Sequence, residues 1–206
     1  MTARYLNLLF SLAVKAVQQQ NGSRDAYAKR DTASDPDRLT ENEVQFIASR
    51  DSFYMASVGA TGWPYVQHRG GPAGFVKILD ERTIGFADFR GNRQYVSVGN
   101  LADDNRVSLF MMDYPRRARL KVLGRARPVD LAAMPELAAV LIDATYGAKV
   151  ERGIVIDIEA FDWNCSQHIT ERFTPAEIEP TIDALKARIA ELEGEVASMK
   201  STSSHL

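Results

Sequence analysis

Between Phe53 and Ala160 the chain divides into seven short segments rich in aromatic and β-branched residues. They are Phe53 to Val58, Tyr65 to His68, Phe75 to Leu79, Thr83 to Asp88, Val107 to Met112, Leu120 to Ala126 and Ile154 to Ala160, separated by Gly, Pro or Asp turns. Runs of this length and composition are strand signals. In the last of them Ile154, Ile156 and Ile158 alternate with Val155, Asp157 and Glu159, the period-2 pattern of a half-buried strand. An open sheet of so many short strands leaves unpaired edges, so a small closed or nearly closed antiparallel barrel is expected. Two helices interrupt the strands: a short connection from Arg93 to Asn100, and Pro135 to Ala144, where Leu137, Val140, Leu141 and Ala144 fall at helical spacing. The expected class is mainly β with flanking helices (α+β).

The flanks are helical. Leu6, Phe10, Ala13 and Val17 recur at helical spacing, so the N-terminal apolar run reads as a short amphipathic helix. Lys15 closes that run early and no small-residue cleavage site follows, which sets a signal peptide aside. A polar arm from Gln18 to Pro36 comes next, and Thr40 with Glu43 forms a capping-box pattern that opens a helix to about Ser49. From Pro175 the chain turns helical again. Ile178, Ile182, Leu185, Ile189, Leu192, Val196 and Met199 alternate spacings of four and three, a heptad seam that either meets another chain or docks on its own domain. Gly194, inside it, costs about 1 kcal/mol. The expected division is 1–40 for helix and arm, 41–173 for the barrel and 174–206 for the C-terminal helix and tail.

At 206 residues with 45% hydrophobic content the chain can bury one large core. A net charge of -2 and a pI near 6.0 argue against nucleic-acid or anionic-membrane binding, and no stretch is long and apolar enough to span a bilayer. A lone Cys165 excludes an internal disulfide, spells out no Cys-based metal site, and fits a reducing, cytoplasmic setting. His68, His168 and His205 show no metal-ligand spacing. The first two suit hydrogen bonds to a cofactor or a carbonyl. Cys165 reads as a small buried hydrophobe. Neither a Gly-x-Ser-x-Gly elbow nor a Walker-type loop is present.

Two glycine-marked, arginine-bearing turns stand out, Gln67-His68-Arg69-Gly70-Gly71 and Phe89-Arg90-Gly91-Asn92-Arg93-Gln94. Glycine lets backbone N–H groups approach an anion, and guanidinium offers a donor fork that matches phosphate. The turns bracket Phe75 to Leu79 and Thr83 to Ala87, which read as one hairpin, so both turns are expected at one mouth of the barrel, around a phosphorylated cofactor. Arginines also dominate from Arg90 to Arg127, which suits either a small anionic ligand or a solvated strand face.

Residues 64–71 and 85–94, with Asn100-Leu101, resemble the FMN-binding split-barrel family related to pyridoxamine 5'-phosphate oxidase, over about Glu43 to Arg172. The resemblance implies a split β-barrel and a homodimer with FMN at the interface, touched by both chains. Asn92-Arg93-Gln94 stands where that family has a phosphate-holding Ser-Arg-Lys turn; the arginine is kept and the lysine is replaced by an amide. Arg93 is thereby expected to pair with the phosphate, with Arg69 as a second cation, Gln67, His68 and Gly70 in the adjoining turn, and Phe86, Asp88 and Phe89 along the ring. Arg117-Ala118-Arg119-Leu120 resembles the strand that reaches the flavin from the other subunit, with Ala118 at the family's glutamine. Trp163 and Arg172 stand where the family places a tryptophan and an arginine near the ring. The oxidases' Arg-x-His substrate motif is missing, and Gln167-His168 stands in its place. The resemblance implies an FMN-dependent oxidoreductase acting on a small molecule, with reduced nicotinamide a candidate electron donor. The alternatives are a non-catalytic flavin- or haem-binding sensor or storage module, and a deazaflavin-dependent reductase.

Overall fold

The computed structural model describes residues 2–28, 35–163 and 167–203. All seven expected strands form: β1 Ser52–Val58, β2 Pro64–Gly70, β3 Lys77–Asp80, β4 Thr83–Phe89, β5 Arg106–Asp113, β6 Ala118–Val129 and β7 Val150–Trp163. They make one antiparallel sheet in the order β2-β1-β5-β6-β7-β4-β3. The expected hairpin is β3–β4, with Ile78 opposite Ile84. The sheet curls around a core that includes Phe53, Met55, Ile84, Phe86, Leu109, Met111, Leu120 and Ile156. Period-2 alternation drives this: along β5 the buried positions are Val107, Leu109, Met111 and Asp113. Where β6 and β7 slip register, Gly124 is obligatory, because a Cβ there would stand 2.7 Å from Ile156 and 2.8 Å from the carbonyl of Asp157.

Strand β3 starts two residues later than expected, although Phe75 and Val76 are still buried in the core. A turn precedes it, with the Phe75 N–H donating to the Pro72 carbonyl and Gly74 at φ 76°. The N-terminal helix is split into α1 Ala3–Leu9 and α2 Leu12–Gln20, because Ser11 takes extended backbone and its hydroxyl caps the second helix at the Val14 N–H. Within the polar arm Arg24–Ala28 forms α3. Thr40 and Glu43 cap α4 Glu41–Ala48 as expected. The connection expected from Arg93 is α5 Val96–Asp103, displaced because Arg93 and Tyr95 both adopt left-handed backbone. Helix α6 Pro135–Leu141 ends before Ala144, where Ile142 turns extended and the Asp143 carboxylate accepts from the Thr145 N–H. The last helix, α7 Pro175–Ser203, carries the heptad seam. No described helix is long and apolar enough to cross a membrane.

Strands β2 and β3 form the two edges of the sheet and do not pair with each other. Arg69 on edge strand β2 reaches across to a buried ion pair with Asp88 on β4. The candidate site lies at this closure.

Candidate cofactor site

Alternation along β2 turns Tyr65, Gln67 and Arg69 inward, half-buried, and leaves Val66 and His68 exposed. Strand β4 delivers Asp88 and Phe89, and the loop from Arg90 to Tyr95 then bends into α5. Together they enclose a cavity of about 50 Å³ lined by Gln67, Arg69, Asp88, Asn92, Arg93 and the first turn of α5. The two arginine turns read from the sequence therefore meet.

Charge at this mouth is organised around two carboxylates. Asp88 takes Arg69 and, at 3.4 Å, Arg152. Glu151 accepts from Arg90 Nε at 2.9 Å, from Arg152 at 3.1 Å and from the Tyr95 hydroxyl at 3.2 Å. The Arg90 bond, helped by those from Tyr95 and Arg152, holds the Glu151 carboxyl below its ordinary range. Arg93 is exposed and donates from Nε to the Tyr95 hydroxyl at 3.4 Å. Of these groups Arg69, Arg93, Asp88 and Glu151 line the cavity and balance in charge, while Arg90 and Arg152 stand just outside the lining, paired with Glu151 and Asp88.

The backbone adds donors. Helix α5 has neither a side-chain cap nor an acidic residue in its first turn. The N–H groups of Val96, Ser97 and Val98 belong to the unsatisfied set at a helix start, and these residues line the cavity. Arg93 at φ 62° and Tyr95 at φ 55° lie in a region that non-glycine residues seldom occupy, and such strain concentrates at ligand sites. The exposed Arg93 guanidinium, the uncapped helix start and a cavity of this size suit a phosphate group.

Gly70, Gly71 and Gly91 do not adopt positive φ. At Gly71 the requirement is close packing, since a Cβ would stand 2.7 Å from the Phe75 ring.

Of the expected site residues, Gln67, Arg69, Asp88, Phe89, Asn92, Arg93 and Gln94 line this cavity. His68 packs edge-on to Tyr54 on the opposite face of β2. Gly70 ends β2 outside the lining. Phe86 is a core residue, 1% exposed, against Phe53 and Phe75, with the Arg69 guanidinium 5.8 Å from its ring.

The second expected group sits elsewhere. Arg117 pairs with Glu171 at 3.4 Å, Arg119 lies over Phe110, and Arg172 lies over Tyr114. Gln167 and His168 are exposed, His168 at φ 63°. Trp163 donates from Nε1 to Glu43 Oε1 at 2.5 Å and meets Phe46 edge-on. Burial pushes the Glu43 carboxyl up, but the bonds from the Thr40 hydroxyl, Trp163 and the Thr40 N–H outweigh it, and the group titrates below its ordinary range. Glu151 and Trp163 stand near opposite ends of β7, twelve residues or about 40 Å of strand apart. Cys165 and His205 lie outside the described residues.

Tyr95, Ser97, Glu151 and Arg152 were not singled out from the sequence. Ser97 is buried and donates to Gln67 Oε1 at 2.7 Å, orienting that amide. Arg152 comes to the site through its register opposite Asp88.

Residues 39–171 match the family described as Pyridoxamine 5'-phosphate oxidase. Comparison with curated proteins gives no match. Among solved structures, HupZ of Group A Streptococcus is similar at 15% identity and a TM-score of 0.47, over 61% of this chain and 99% of that one. A putative pyridoxamine 5'-phosphate oxidase of Lactobacillus delbrueckii matches at 22% identity and 0.46, over 61% and 93%. An F420 reductase matches at 19% identity and 0.42, over 60% and 98%.

Proposed function

The chain belongs to the pyridoxamine 5'-phosphate oxidase family, and from that premise we propose that it is an FMN-dependent oxidoreductase acting as a homodimer on a small-molecule substrate. The observation that carries this reading is the cavity at the sheet closure, with the exposed Arg93 in its lining and the uncapped start of α5 beside it. At about 50 Å³ it accommodates a phosphate group, whereas whole-ligand pockets run to about 300–1,000 Å³. Arg93 and the first N–H groups of α5 hold the phosphate. Arg69 stays with Asp88 and contributes field, and Asn92, Gln94 and the Ser97-oriented Gln67 supply neutral polar contacts.

The ring system then extends beyond the cavity, and one chain does not bring its second group of expected residues there. A second copy supplies Arg117, Arg119, Trp163, Gln167, His168 and Arg172 from across an interface. The flavin supplies the hydride and electron chemistry, while the protein binds it, orients it and sets the local field. No general acid–base pair is needed among the side chains of the cavity. Reduced nicotinamide is the proposed electron donor.

Freshly purified protein tests this directly. The expected result is a yellow flavin spectrum, FMN on extraction, bleaching under reduced nicotinamide and a dimer by light scattering. A haem Soret band or a deazaflavin spectrum overturns the cofactor. A flavin-loaded monomer overturns the shared site, and a flavin that is never reduced overturns the enzyme.

A further inference from the structure

Every residue from Glu171 to Lys200 is exposed, including the whole seam of α7: Ile182 at 40%, Ile189 at 55% and Met199 at 63%. Most helical stability in proteins comes from packing an apolar face. A helix of 29 residues that contains Pro180 and Gly194 and leaves its whole apolar seam exposed therefore needs a partner surface.

The seam identifies that surface. Spacings of four and three fix the heptad register, with Ile182, Ile189 and Val196 at a and Ile178, Leu185, Leu192 and Met199 at d. β-branched residues at all three a positions, with leucine at the two central d positions, favour two parallel strands. The flanking charges agree. In a parallel pair each g residue faces the e position five residues later in the other copy, which sets Arg188 against Glu193 and Glu195 against Lys200. Both pairs are of opposite sign, and Thr181 against Lys186 is neutral. The two helix-weakening residues, Pro180 and Gly194, both fall at f, farthest from the seam, and nothing lies within 4 Å of a Cβ built on Gly194. Within the helix Arg188 bonds Glu191 and Lys186 contacts Asp183, exposed pairs that pairing between copies readily exchanges.

We propose that α7 joins α7 of a second copy as a parallel two-stranded coiled coil over Ile178 to Met199. The inference is independent of the flavin reading, since it uses no residue of the cavity.

The test uses full-length protein in a Cys165→Ser background, with Ile178→Cys and Met199→Cys made singly. These ends lie about 32 Å apart along the helix, so a dimer formed by the barrels alone does not bring both into self-contact. A parallel coil gives disulfide-linked dimers from each variant by itself under mild oxidation, with Glu191→Cys on the outer face as a non-crosslinking control. Linkage only when the two variants are mixed shows an antiparallel pair and overturns the proposal, as does no linkage. Leu185→Asp with Ile189→Asp is the second measurement: far-ultraviolet circular dichroism should lose most of the α7 helical signal while the barrel stays folded. Unchanged helicity overturns the proposal, and a fall in barrel stability without crosslinking assigns the seam to its own domain.

Discussion

Glu43 is the point where the barrel's entry helix is tied to the end of its last strand, and replacing it by glutamine tests that tie. Its carboxylate is 4% exposed. Oε2 accepts the Thr40 N–H at 2.9 Å and the Thr40 hydroxyl at 2.5 Å, while Oε1 accepts Trp163 Nε1 at 2.5 Å. All three bonds point inward to an acceptor. In Glu43→Gln one of the two oxygens becomes an NH₂ donor, so either Trp163 or Thr40 faces a donor in place of an acceptor. A hydrogen bond to a charged group is worth about 1.5–3 kcal/mol, and a buried unsatisfied donor costs about 1–3 kcal/mol. The expected loss is about 2–3 kcal/mol, or about 4–12 °C in Tm for a chain of this size.

The pH dependence separates this cause from a generic packing defect. The folded carboxyl titrates below its ordinary value of 4.5, so protonation favours the unfolded chain first. The Glu43 contribution is therefore complete above about pH 4.5 and is lost as pH falls through the lowered folded value. Urea denaturation followed by circular dichroism at pH 7 and at pH 3.5 should show the wild type losing stability on acidification, and Glu43→Gln losing less. Trp163→Phe, which keeps the ring on Phe46 but removes the donor, should not add fully to Glu43→Gln, because both break the same bond. A Glu43→Gln stability within about 0.5 kcal/mol of wild type, or identical acid sensitivity in the two proteins, refutes the reasoning.

Arg93→Ala should weaken FMN binding about ten- to a hundredfold and leave riboflavin nearly unaffected, with Arg90→Ala, held by Glu151, as the milder control; equal losses for FMN and riboflavin in a fluorescence titration exclude the phosphate assignment. Gly71→Ala should destabilise the fold by about 1–3 kcal/mol through collision with the Phe75 ring, read as a lower urea midpoint with unchanged slope. His168→Ala, at an exposed site, should alter the flavin spectrum or reduction rate and leave Tm in place; an unchanged spectrum and rate removes His168 from the cofactor site.

How far the sequence could be read depended on the range of the interaction. The seven strands were legible because alternation and turn residues are local: Ile154, Ile156 and Ile158 all face the core, and Lys77 to Asp80 pairs with Thr83 to Gly85 across a tight turn. The start of α5 was not, because the left-handed residues are Arg93 and Tyr95, while Gly91 and Asn92, which bear the usual signal, do not use that region. The bond from Trp163 to Glu43 spans 120 residues, and neither residue type announces the other. The electrostatics of the cavity were partly legible for the same reason. Arg69, Arg90 and Arg93 could be read from two turns, but Glu151 and Arg152 arrive only through the register of β4 with β7. Those two residues change the meaning of the turn. Asp88 and Glu151 offset Arg69 and Arg93 in the lining, and Arg90 and Arg152 just outside it tip the surroundings positive, which favours a phosphate monoester carrying about -1.5 to -2 at neutral pH. Gln94, which keeps a polar contact without adding charge, is consistent with a site whose cationic complement is completed by Arg152, one strand away.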